Sequence, residues 1–353
     1  MSAPAWTSLL RGSVRVQLCV LALALFGCRG TSSTQTLDSD PAPFYRGRAL
    51  RIIVGVSPGG GQDLYARIMA AHLSRHLPGR PNVIVDNKPG AGGLIAANYM
   101  ARQANPDGLT IGLLGVQAVV AQLLGNTPQF DIRDLPIIGS PADDGAVCAF
   151  TRASGFSLDA WRGGRVARLG MTNRGSTTAS YAFLVSEALV LPIRPVIGYA
   201  GTSEIKSAMA NGEVDGACMS RNSYVASFQA ADNSHAVLQA GGDAGTSLPD
   251  VPAAETLATT DRGRSFLAIV SRVGVLARYY ALPPGTPDAQ IQSMRTAFDL
   301  TMKDSAFLEA AHAAHLEIRP QAASTVSASV EGLLTLPLDI RREIIALLNG
   351  GPL

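Results

Sequence analysis

Residues 52–63 read IIVGVSPGGGQD, and the parsing of this stretch decides the fold. The apolar, β-branched run Ile52–Val56 has strand character. From Asp63 to His76 the residues Leu64, Ile68 and Ala71 recur at helical spacing. Between strand and helix stand Ser57, Pro58, Gly59, Gly60, Gly61 and Gln62. Glycine has no Cβ to hold a ligand away from the backbone. A helix N-terminus adds unpaired N–H donors and about half a positive charge, so the junction suits an anion. Asp63 fits the N-cap or first turn. A nucleotide phosphate, a carboxylate or a purely structural turn are the three readings open at this point.

The plan repeats downstream. A strand at Asn82–Asp86 leads into NKPGAGG, Asn87–Gly93, and a helix follows with Leu94, Ala97 and Ala101 inward. The turn NPDG, residues 105–108, precedes a third strand, LTIGLLG, then a helix near Gln117–Leu124 and a strand near Leu135–Ile138. A second series has strands at Ala146–Phe150, Val166–Met171, Arg194–Ile197 and Val214–Met219, with helices at Thr177–Val190 and Ser203–Asn211. Helices near Pro287–Met302, after Asp304, near Ser324–Leu334 and near Leu338–Leu348 fill the tail. Alternating strands and helices predict an α/β fold with mainly parallel sheets. Glycine-rich loops after sequential parallel strands open on one carboxyl edge, where such sheets bind ligands.

The nucleotide reading fails on its motifs. GGGQDL does not match G-x-G-x-x-G, and no Gly-Lys-Ser/Thr follows a glycine loop. Asp86 closes the second strand at a suggestive distance but has no fingerprint with it. The net charge is +2 over 353 residues with no basic block, which excludes the electrostatic footprint of a nucleic-acid binder. In the second series, MTNRGSTTAS (171–180) brings Asn173, Ser176, Thr177 and Thr178 to a strand end and helix start. GYAGTSE (198–204) does the same with Tyr199, Gly201 and Ser203. Each hydroxyl there is either a helix cap or a ligand donor.

Arg11 and Arg15 precede an apolar run, Val16–Phe26, which is too short to span a bilayer that needs about 20 residues. This is the layout of an export signal. LFGC at 25–28 resembles a lipobox, leaving lipid attachment at Cys28 and ordinary cleavage both open. Cys148 and Cys218 form an even pair, which in an exported protein permits a disulfide; two separate buried thiols are the other reading. The histidines form no metal-ligand cluster, and His72 and His76 read as an exposed helix edge.

The stretches IIVGVSPGGGQDLYARIMA, VDNKPGAGGLIAANYMA and NPDGLTIG resemble the opening signature of the solute-binding proteins of tripartite tricarboxylate transporters, the Bug family. GYAGTSEIKSAMANGEVDG and PPGTPDAQIQSMRTAFDLTMKDSAFLEAA extend the resemblance over nearly all of the chain after Arg48. It implies a periplasmic-binding-protein-like fold of type II, two α/β lobes joined by a hinge with two chain crossings. Residues 44–140 and 273–353 would form lobe 1 and 141–272 lobe 2, after a signal peptide at 1–28 and a linker at 29–43. It further implies a periplasmic, non-enzymatic monomer without cofactor or metal. This receptor would capture a small organic carboxylate and pass it to membrane permease subunits; its own membrane contact would be limited to a lipid anchor, if Cys28 carries one.

The ligand residues implied are Ser57, Gly59, Gly60, Gly61, Gln62, Asp63, Asn87, Gly90, Ala91, Gly92, Gly93 and Gln117 in lobe 1. Asn173, Ser176, Thr177, Tyr199 and Gly201 stand for lobe 2. The chain departs from the family pattern at Ser57, Gln62 and Lys88, and MTNRGSTTAS matches its loop only loosely. Arg174 is either a fork for a second carboxylate or a solvated arginine. Two rival readings are an exported hydrolase with Ser176 as nucleophile, which has no identifiable histidine base, and a ligand sensor without transport.

Overall fold

The computed structural model describes residues 42–125, 130–229, 233–242 and 248–350. The expected export signal, Cys28 and most of the linker lie outside them. After a short helix, α1 (Ala42–Tyr45), the first sheet starts with β1 (Ala49–Val54), α2 (Gly61–Leu73) and β2 (Asn82–Asn87). It continues through α3 (Leu94–Arg102), β3 (Thr110–Leu114), α4 (Gln117–Leu123) and β4 (Ile137–Ser140). The chain then enters a second sheet with β5 (Ala146–Thr151), α5 (Leu158–Arg162), β6 (Ala167–Met171), α6 (Thr177–Leu189) and β7 (Ile193–Ile197). There follow α7 (Thr202–Ala210), β8 (Gly216–Ser220), the single turn α8 (Arg221–Ser223), β9 (Ser234–Ala240), α9 (Ala254–Leu257) and α10 (Asp261–Val275). The chain finally returns to the first sheet with β10 (Tyr279–Ala281), α11 (Asp288–Thr301), α12 (Ser305–Ala313), β11 (Gln321–Ala322), α13 (Ala323–Leu334) and α14 (Leu338–Asn349).

The first sheet has the order β11-β4-β10-β3-β1-β2 and the second β7-β6-β8-β5-β9. The parallel ladders expected from the alternation are β2–β1–β3 and β7–β6–β8. Both sheets are mixed, however: β10 and β11 run antiparallel beside β3 and β4, and β5 runs antiparallel to β8 and β9. Strands β9, β10 and β11 and helix α10 add to the elements read from sequence. In α10, Phe266, Ile269, Val270 and Val273 do stand at helical spacing and are buried. Its Gly263 and Gly274 lower helix propensity but allow close approach. A Cβ at Gly263 would lie 2.5 Å from the Ala188 carbonyl oxygen, and one at Gly274 would lie 2.8 Å from that of Asp144.

Strand β3 is buried at every position, as a sheet covered on both faces requires. One apolar cluster runs from Ile53, Met100 and Leu114 in the first sheet to Trp161, Leu169 and Phe266 in the second and on to Val330 and Leu347. Separate clusters fill the outer faces, Leu50, Tyr65 and Phe298 on the first sheet and Val147, Ile205 and Met209 on the second. Cys148 and Cys218 face each other across β5 and β8 and are joined by a disulfide. His72 and His76 are half-buried rather than an exposed edge. The His76 Nε2 lies 2.8 Å from the Asp304 carboxylate, and the His72 ring packs edge-on against Phe307.

The two segments that pass between the sheets lie side by side. The Asp144 N–H donates to the Gly274 carbonyl at 3.4 Å, and the Ser140 hydroxyl donates to the Arg278 carbonyl at 2.9 Å. Helix α14 touches both halves: Arg341 donates to the Leu123 carbonyl of α4, and Arg262 pairs with Glu343 and with Glu187 of α6.

Candidate functional site

The carboxyl ends of β1, β2, β6, β7 and β8 all open on one cleft of about 700 Å³. Around it stand the first turns of α2, α4, α6 and α7 and the turn that leads into α3. The first few N–H groups of each helix have no partner within that helix, so the cleft is ringed by donors. It is therefore suited to an anion without a dedicated lysine.

The first loop is held from behind. Asp63, buried, accepts from Gly59 N–H (2.9 Å), Arg67 Nε (2.8 Å) and Asn87 Nδ2 (2.9 Å). Asn87 Nδ2 also donates to the Val56 carbonyl at 2.9 Å. Burial pushes the Asp63 carboxyl up, and the bonds from Arg67, Gly59 and Asn87 outweigh it, leaving the pKa below the ordinary value. Asp63 and Asn87 thus support the loop from behind and do not line the cleft, while Gly59 borders the smaller chamber beside it. Ser57, Gly60, Gly61 and Gln62 do line it. Gly60 is the N-cap of α2, and Gln62 Nε2 reaches across to the Ala277 carbonyl at 2.9 Å.

In the second loop the chain keeps positive φ through Gly90, Ala91, Gly92 and Gly93 (124°, 47°, 64° and 94°), a backbone that L side chains rarely adopt. A Cβ on Gly92 would stand 2.2 Å from Asn173 Nδ2, and one on Gly93 would stand 2.3 Å from Gln117 Nε2. The glycines are needed for contact as well as for φ, and Gly92 meets a residue of the second sheet's half. Gly90, Ala91, Gly92, Gly93 and Gln117 all line the cleft.

Across the cleft, Asn173, Ser176, Thr177, Tyr199 and Gly201 line the opposite wall. Ser176 caps α6: its hydroxyl accepts from Ala179 N–H (3.2 Å) and donates to the Asn173 carbonyl (2.6 Å), with Thr178 Oγ1 at 2.9 Å. The hydroxyl is engaged within its own turn, and no described histidine lines the cleft beside it. Asn173 Oδ1 accepts from Gly175 N–H at 3.0 Å, which leaves its amide nitrogen toward Gly92. Burial, followed by the charge of Glu213, raises the pKa of Tyr199. Arg174 is neither fork nor solvated: Nη1 donates to the Leu347 carbonyl at 3.1 Å, at the C-terminal end of α14, and the residue does not line the cleft.

Several lining residues were not read from sequence: Thr202, Glu204, Ser220, Ser223 and Arg278. Arg278 is 4% exposed, pairs with Asp144, donates from Nη2 to Ser220 Oγ at 3.0 Å and lies 4.6 Å from the centre of the Tyr65 ring. It is the one cationic side chain among the described residues lining the cleft. A lone charge inside the apolar run VLARYYAL, residues 275–282, was its signal.

Residues 65–150 match the family model described as tripartite tricarboxylate transporter family receptor. A UPF0065 protein of Bordetella pertussis is 31% identical over 285 residues, covering 78% of this chain and 83% of that protein. The chain belongs to the tripartite tricarboxylate transporter receptor family. The periplasmic binding protein BugD superposes with a TM-score of 0.68 at 20% identity, over 86% of this chain and 99% of that one. R. palustris Rpa4515 with adipate gives 0.69 at 21% identity, over 87% and 99%. The receptor therefore has the two-lobed, type II binding-protein fold. Among its described residues, no helix is long and apolar enough to cross a membrane.

Proposed function

We propose that the protein is an exported receptor that captures a small organic carboxylate in this cleft and delivers it to a tripartite tricarboxylate-type permease. The observation that carries the reading is the ring of helix first turns and glycine loops around one cleft. Backbone donors at Gly60, Gly61 and Gly90–Gly93 would hold a carboxylate from the first half, and Asn173, Thr177, Tyr199 and Gly201 would close on it from the second. Residues 44–140 with 273–353 serve as one lobe and 141–272 as the other, with ligand favouring the closed state because only that state contacts it from both sides. The adipate held by the R. palustris neighbour agrees with a carboxylate.

Calorimetry on refolded, ligand-free protein tests this directly. A panel of carboxylates should contain at least one binder whose primary amide binds far more weakly. Equal binding of acid and amide would refute the anion site.

A further inference from the structure

Arg174 belongs to a cleft loop, yet its side chain leaves the cleft. The loop itself is stiff. The Asn173 side chain accepts from Gly175 N–H at 3.0 Å, and the Asn173 carbonyl accepts from Ser176 N–H (3.1 Å) and from Ser176 Oγ (2.6 Å). Residues 173–176 therefore move as one piece, with Asn173 and Ser176 in the cleft wall and the Arg174 side chain outside it.

That side chain grips the end of α14. Nη1 donates to the Leu347 carbonyl at 3.1 Å, and a Cβ on Gly350, the left-handed C-cap of α14, would lie 3.0 Å from Nη2. The last carbonyls of a helix carry its negative end, so a guanidinium is favourable there. The remainder of α14 is seated less firmly. Its Glu343 pairs with Arg262, but both partners are well exposed, and such a pair contributes little. Beneath Ile344 and Leu347 lies a cavity of about 30 Å³, bounded by Val120 and Leu123 of α4 and by Phe183 of α6. The Ser180 hydroxyl, 4% exposed, lines it without a hydrogen-bond partner among the described residues. A seat with missing contacts and an unsatisfied hydroxyl is a weak one. The helices beneath it, α4 and α6, carry Gln117 and Thr177 into the cleft on their first turns. Thus α14 bears on an element of each wall.

We infer that Arg174 is a positioning residue that ties the C-terminal helix to the ligand loop. With α14 seated, Arg174 holds the 173–176 turn where Asn173 meets Gly92. Closure on ligand seats α14 more firmly in return, because linked equilibria change each other by the same factor. This rests on the carboxylate-receptor reading above and adds to it an element outside the cleft that sets affinity. An arginine that only capped a helix would leave affinity unchanged.

The test combines calorimetry with amide hydrogen exchange on refolded wild type, Arg174→Gln, Arg174→Lys and Leu347→Ala, with succinate, adipate, citrate and benzoate as probes. In the wild type, the acid that binds should slow exchange in the glycine loops. It should also slow exchange in the last turn of α14, which lies outside the cleft, by about 5-fold or more. Arg174→Gln should bind that acid more weakly by a similar factor and lose the slowing in α14 while keeping it in the glycine loops. Arg174→Lys keeps a cation at the helix end and should restore most of both effects. Leu347→Ala loosens α14 without altering the loop or Arg174, and should weaken binding as well. Protection of the glycine loops with α14 unchanged, equal slowing of α14 in wild type and Arg174→Gln, or unaltered affinity in Arg174→Gln overturns the proposal and leaves the receptor reading intact. A wild type that binds none of the four acids defeats the receptor reading, and the proposal with it.

Discussion

The two walls of the cleft are built by different means. The wall from the first sheet is mostly backbone: glycines at positive φ, with Asp63 and Asn87 bracing the loop from behind. The wall from the second sheet is mostly side chains, and several of these also cap their own helices, as Ser176 does for α6. A backbone wall tolerates no added atoms but needs no particular side chain. A side-chain wall tolerates exchange and fixes the shape of what is bound.

Substitution on the backbone side breaks this contrast most severely. Gly92→Val adds a side chain at φ 64° where a Cβ already meets Asn173, and calorimetry should show about 100-fold weaker carboxylate binding. Retained affinity would mean that this loop is not the cradle. The disulfide belongs to the second half alone. Replacing Cys148 and Cys218 with Ala should cost about 2–4 kcal/mol in urea unfolding, with little change in ligand affinity. Ser176→Ala removes a cap and should lower stability by about 1 kcal/mol while shifting binding only a few-fold; an esterase activity lost in this variant would restore the hydrolase.

The smallest effect is the pH dependence of the brace. The Asp63 pKa is depressed in the folded protein, so its contribution is complete above the unfolded carboxylate value of about 3.9 and is lost as pH falls through the folded value. Acid unfolding of Asp63→Asn should accordingly be less steep than that of wild type below about pH 4.

The same contrast explains what was legible in the sequence. Glycine runs at a strand-to-helix junction have few uses, so the first wall could be read almost residue by residue, apart from Asp63 and Asn87, which brace it. Serines and threonines at helix starts are common everywhere, and Thr202, Ser220 and Ser223 passed unnoticed among them. Strands β10 and β11, three and two residues long, exist only because β3 and β4 supply partners, so no local periodicity announces them. Arg278 precedes β10 in the same segment, and its role depends on Asp144 and Ser220, more than fifty residues away in sequence.

That late return of the chain also bears on biogenesis. During synthesis, β4 emerges long before β10 and β11, the strands that flank it, whereas every strand of the second sheet has emerged by residue 240. Non-local pairing of this kind is slow to form. The amino-terminal half of the molecule thus stays without its completed sheet until nearly the whole polypeptide has been made, so the unfinished edges of β3 and β4 are exposed for most of synthesis.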